Sequence, residues 1–127
     1  MLESEGMSVD ALESVLDEVL SAAGASGAAL VDAVTGFTYA ESGDCAAAGT
    51  GHEVWHLLSL IEDRLHEAGA EGELENVVVT GSRTYHVVHV VARQGDPVLL
   101  STVLDRSDTN LALASRRIGA VAEGLFA

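Results

Sequence analysis

The chain contains no lysine. A nucleotidase built on a GxxxxGK[ST] loop needs that lysine on the β- and γ-phosphates, so this protein is not one. Its six basic residues are all arginines, set against 20 Asp and Glu, for a formal charge of −14. Such a surface repels phosphate backbones and anionic lipid, which argues against nucleic acid and membrane surfaces as partners. A basic protein or a metal ion fits the charge better. Cysteine occurs once, at Cys45 in the loop-like stretch SGDCAAAGTG, so no internal disulfide can form. A lone thiol suits the cytoplasm. The opening MLESEGM lacks the basic-then-apolar pattern of a signal peptide, which supports the same compartment. No apolar run approaches the roughly 20 residues of a membrane-spanning helix. Only five residues are aromatic although 48 % of the chain is hydrophobic, so the core must be built mainly from Val, Leu and Ala. A GxSxG nucleophile elbow is also missing, since Gly24-Ala25-Ser26-Gly27 is one residue too short.

What is present reads as one domain, with a loose start over residues 1–8 and a folded unit over 9–127. From Val9 to Ala23 apolar residues recur at helical spacing, with Asp10 and Glu13 placed as a capping box and Gly24 as a stop. GAALVDA and GFTYAES flank a turn at Ala33-Val34-Thr35-Gly36 and predict a β-hairpin. A Gly- and Ala-rich loop leads to Thr50, which with Glu53 forms a second capping box for a helix running to Ala68. ENVVVT (75–80) and TYHVVHVVA (84–92) are strands joined by Gly81-Ser82-Arg83, and VLLSTVL (98–104) is a third. The middle strand is apolar on both faces, which requires a sheet covered on both sides. The last helix starts near Thr109 or Asn110 and reaches Leu125. The expected order is α-β-β-α-β-β-β-α: an α/β (α+β) domain with one five-stranded antiparallel sheet and helices on both faces.

One motif points elsewhere. HEVWH, residues 52–56, matches the HExxH zinc-hydrolase signature, in which His52 and His56 would bind Zn²⁺ and Glu53 would act as general base. Glu75 lies far enough downstream to serve as a third ligand, yet it opens a strand where that ligand belongs on a helix. At 100° per residue, Val54, Leu57, Leu58, Ile61, Leu65 and Ala68 share one face of this helix, and His52 and His56 point away from it. They line an outward surface, with no second lobe left to enclose a cleft. Metal binding by His52 and His56 is therefore a remote reading, and no cofactor is expected. His86 and His89 stand three apart on a strand, so they face opposite sides and cannot share a metal. Both are expected to be half-buried and hydrogen-bonded. Arg116 and Arg117 suit the dipole of the last helix.

GASGAALVDAVTG after an amphipathic helix, and STVLDRSDTNLALASRRI running from a strand into a helix, resemble the roadblock or dynein-light-chain family. The element order agrees over nearly the whole chain. The resemblance implies a profilin-like α/β fold, a homodimer or heterodimer, and a non-enzymatic scaffold or regulator of a small Ras-like GTPase. It also places the second helix at a dimer contact. The expected interface is Trp55, Ser59 and Glu62 on the flank of that helix with Val77 and Val79 on ENVVVT, an edge strand that must be paired or covered. The alternative function is a PAS- or GAF-like sensory module binding a small ligand, because those domains also pack helices on an antiparallel sheet.

Overall fold

The computed structural model describes residues 8–93 and 95–125. Of the expected loose start, residues 1–7 lie outside these; Ser8 lies within them and has a structural role. It is the N-cap of α1 (Val9–Ala23), accepting a hydrogen bond from the Ala11 amide at 3.2 Å. The cap expected at Asp10 therefore falls two residues earlier, because Ser8 is the residue left in extended backbone. Gly24 closes the helix in the left-handed region (φ 68°) and donates its N–H to the Leu20 carbonyl. The chain continues through β1 (Ala25–Asp32), β2 (Thr38–Gly43), α2 (Gly51–Glu67), β3 (Asn76–Thr80), β4 (Thr84–Val91), β5 (Val98–Asp105) and α3 (Leu111–Gly124). The order of elements is the one the sequence predicts.

The five strands form a single antiparallel sheet in the order β2-β1-β5-β4-β3. Register fixes what each face presents. Leu30 lies opposite Leu100, Val31 opposite Leu99, and Val88 opposite both Ser101 and Val77. Because successive side chains alternate, Leu30, Leu100, Leu104 and Val87 enter the core beneath α1 and α3. Val31, Leu99, Val88 and Ala29 enter a second, smaller core with Val54 and Leu58 of α2. Val87 and Val88, adjacent in sequence, are both fully buried, so β4 is covered on both faces as its composition requires. The larger core owes most to Leu12, Leu16 and Val19 of α1 and Ile118 of α3, none of them exposed. Burying one such side chain contributes about 1.5–3 kcal/mol.

One end of the sheet is fastened by a polar clasp. Asp32 ends β1, and its Oδ1 accepts from the Val34 amide at 2.7 Å and the Thr35 amide at 3.0 Å, shaping the β1–β2 turn. Its Oδ2 accepts from the Tyr39 hydroxyl. Arg93, just past β4, lies 3.9 Å from the same carboxylate, donates to the Tyr39 hydroxyl at 3.1 Å and stacks over the Tyr39 ring at 5.4 Å. Burial pushes the Asp32 pKa up, but the hydrogen bonds from Tyr39, Thr35 and Val34 outweigh it and hold it below the ordinary value. Because that pKa is depressed in the folded state, the stabilisation is complete above the unfolded value of about 3.9 and is lost as pH falls through the folded value. Asp32→Asn, which removes the carboxylate charge 3.9 Å from the Arg93 guanidinium, is expected to cost about 2 kcal/mol near neutral pH. In urea titrations the gap between the two proteins should narrow as pH drops below about 4; a constant gap would show that the carboxylate charge is not what matters.

Candidate interaction surface

The HEVWH motif lies on the first turns of α2. Thr50 is the N-cap: its hydroxyl accepts from the Glu53 amide at 3.2 Å, while Glu53 Oε1 accepts from the Thr50 amide at 2.9 Å. This reciprocal pair is a capping box, and it lowers the Glu53 pKa through the backbone and side-chain bonds with Thr50. The residue that a hydrolase would use as base is thus engaged in starting the helix. His52 and His56 are both exposed and flank the Trp55 ring, with centroids 5.7 and 6.3 Å away. Among the described residues, no three His, Cys, Asp or Glu side chains are grouped so as to hold a metal ion.

The two strand histidines separate as alternation demands. His86 faces the α2 side and lies 2.7 Å from the Ser101 hydroxyl. His89 faces α3, its Nε2 approaching Gly119, and its buried Nδ1 has no hydrogen-bond partner. Burial lowers both pKa values and keeps the rings neutral. Only His86 thus meets the expectation of a satisfied histidine. Arg116 and Arg117 are also placed differently from expectation. The last helix runs to Gly124 with no basic residue in its final turn, so the two arginines sit mid-helix, beyond the reach of its dipole.

The surface that remains is built from α2 and β3. The expected apolar stripe of α2 forms, but the sheet covers only part of it. Val54 and Leu58 are buried, Leu57 and Ile61 are half-buried, and Leu65 is 41 % exposed. The reason lies in the path of the helix. It begins against the β1–β2 turn, where Gly36 touches His52 and Trp55. It ends beside the approach to β3, where Glu62, Leu65 and His66 line a groove with Leu74, Glu75 and Asn76. Next to that groove lies β3, an edge strand whose outer side pairs with no strand among the described residues. Val77 packs into the α2-side core, and Val79, on the same face by alternation, is 43 % exposed.

The five residues expected at an interface are therefore only partly brought together. Glu62, Val77 and Val79 lie at or beside β3, and Ser59 is half-buried on the same flank of the helix as Glu62. Trp55 lies two turns earlier, about 10 Å back along the axis from Glu62, close to the β1–β2 turn and against the α2-side core. Leu65 was overlooked because, by sequence, it belongs to the buried stripe.

Three helices packed on a five-stranded antiparallel sheet match solved roadblock-domain structures. MglB of Myxococcus xanthus superposes with a TM-score of 0.79 at 21 % identity, over 93 % of this chain and 86 % of that one. The chain has the roadblock fold. A Roadblock/LC7 domain from Streptomyces avermitilis matches at 0.76 and 16 % identity, over 89 % of this chain and 92 % of that one. A tetrameric MglB matches at 0.71 and 24 % identity, over 88 % of this chain and 82 % of that one. At these identities the likeness is one of fold. No protein-family model and no curated protein matches the sequence.

The capping role of Glu53 predicts the behaviour of the motif. Thr50→Ala should destabilise the protein by about 1 kcal/mol, read as a lowered melting temperature. The unmodified protein should show no peptidase activity and well under one zinc per chain after gel filtration in metal-free buffer. One zinc per chain, lost together with an activity in Glu53→Gln, would reinstate the hydrolase.

Proposed function

We propose that the protein is a non-enzymatic, dimeric regulator or scaffold for a small Ras-like GTPase. The observation that carries this reading is the apolar stripe of α2 running on past the sheet to Leu65, beside an edge strand that exposes Val79 on the same face. An unpaired edge next to exposed apolar side chains is an association surface. Pairing β3 with its own copy across a two-fold axis would join two five-stranded sheets and bring both α2 helices onto one face. The likeness to MglB, one example of which is a tetramer, supports self-association. The roadblock resemblance supplies the GTPase as partner class, and the absent lysine assigns nucleotide binding to that partner. Among the described residues, the cores on both sides of the sheet are filled by Leu, Ile, Val and Ala side chains, which weighs against the sensory-module reading.

Sedimentation at micromolar concentration should give the dimer mass, and Val79→Asp or Leu65→Asp should shift it to monomer without lowering helix content. A monomer for the unmodified protein would refute the dimer. Binding to a candidate Ras-like GTPase should differ between its GDP and GTP states, because a regulator acts only through that difference. The association rate should fall as ionic strength rises past about 0.15 M, where the Debye length is about 8 Å. Equal affinity for both states, or none for either, would remove the regulatory reading.

A further inference from the structure

The β1–β2 turn holds the most exposed large apolar side chains among the described residues, Phe37 at 61 % and Val34 at 51 %. It is also among the most heavily bonded turns of the chain. Besides the two amides held by Asp32, the Gly36 amide donates to the Asp32 carbonyl at 3.0 Å and the Asp32 amide to the Phe37 carbonyl at 2.7 Å. The Phe37 amide donates to the Thr35 hydroxyl at 3.2 Å. Phe37 packs edge-on against Tyr39 with centroids 5.4 Å apart, and Tyr39 is held by Arg93. Gly36, at φ 78°, leaves no room for a side chain: a Cβ there would fall 2.8 Å from His52 Nδ1 and 3.3 Å from Trp55 Cβ. The turn is thereby locked to the start of α2, while Phe37 itself lies with Tyr39 on the face that carries α1 and α3. A mobile turn would tuck such side chains away. This one presents them in a fixed arrangement, so docking them costs little ordering entropy.

From this geometry we infer that the β1–β2 turn is a preformed anchor that inserts Phe37, with Val34 of the same turn, into an apolar socket with a basic rim on the GTPase partner. Charge decides the occupant. The turn residues 33–37 carry no charged side chain, and exposed Asp96 lies in the segment whose Pro97 carbonyl accepts from the Ala33 amide. Arg93, the arginine that joins this end, has its side chain only 7 % exposed and turned inward. A basic rim on the occupant gains from the net charge of −14 and from Asp96. Aromatic side chains seated in a socket are the usual binding hot spots.

This inference rests on the GTPase reading, and its test separates the two. The full-length protein, Phe37→Ala and Val34→Ser are each titrated against the GTPase loaded with GDP or a non-hydrolysable GTP analogue, with sedimentation and thermal melts in parallel. Both side chains are exposed, so melting temperature and mass should match the unmodified protein. Phe37→Ala should lose at least tenfold in affinity for the preferred state, Val34→Ser less, and Phe37→Leu should recover part of the loss. Unchanged affinity in both Phe37→Ala and Val34→Ser overturns the anchor and leaves the GTPase reading standing. A smaller sedimenting mass for Phe37→Ala overturns it in favour of contact between copies. No binding by the unmodified protein overturns both.

Discussion

Burial of β1, β5 and β4 on both faces is the constraint from which the rest of the molecule follows. Leu30, Leu100 and Val87 on one side, and Val31, Leu99 and Val88 on the other, must all leave water. Two helices, α1 and α3, close the first face. A single helix, α2, closes the second, and one helix is too narrow for five strands. It covers β1 and its neighbours, and at its far end the apolar stripe extends beyond what the sheet can cover. The exposed side chains at Leu65 and Val79 are thus a geometric consequence of the fold. A second subunit beside β3 is the arrangement that would remove them from water.

Most of the fold was legible because it is written in periodicity and caps. The capping box at Thr50 and Glu53, the stop at Gly24 and the doubly apolar β4 all act through neighbours a few residues away, and each is where pattern places it. The first cap was misplaced by two residues because Ser8 and Asp10 are both good caps, and tertiary packing of Leu12 and Leu16 decides where the helix must already have begun. The clasp at Asp32, Tyr39 and Arg93 was not legible. Asp32 before a turn is a recognisable signal, but its partner Arg93 comes from the far side of β4, and pairing at that separation has no local signature.

The proposed association surface was half legible for the same reason. Alternation identifies Val77 and Val79 as one face of an edge strand. The helical wheel identifies Trp55 as off the apolar centre, but an angle gives no position along the axis. Only the path of α2 across the sheet reveals that Trp55 belongs with the β1–β2 turn and Glu62 with β3. In the HEVWH motif, helix capping accounts for Glu53, and the two histidines lie on an exposed surface.

Amide hydrogen exchange along β3 is the most direct test of the central claim. If two copies pair through this edge, those β3 amides that no β4 carbonyl accepts are sealed in a continuous ten-stranded sheet. They should then exchange as slowly as the amides of β4 at micromolar concentration and speed up when the protein is diluted below its dimer affinity. Exchange at β3 as fast as on the open side of β2, and indifferent to dilution, would contradict the account.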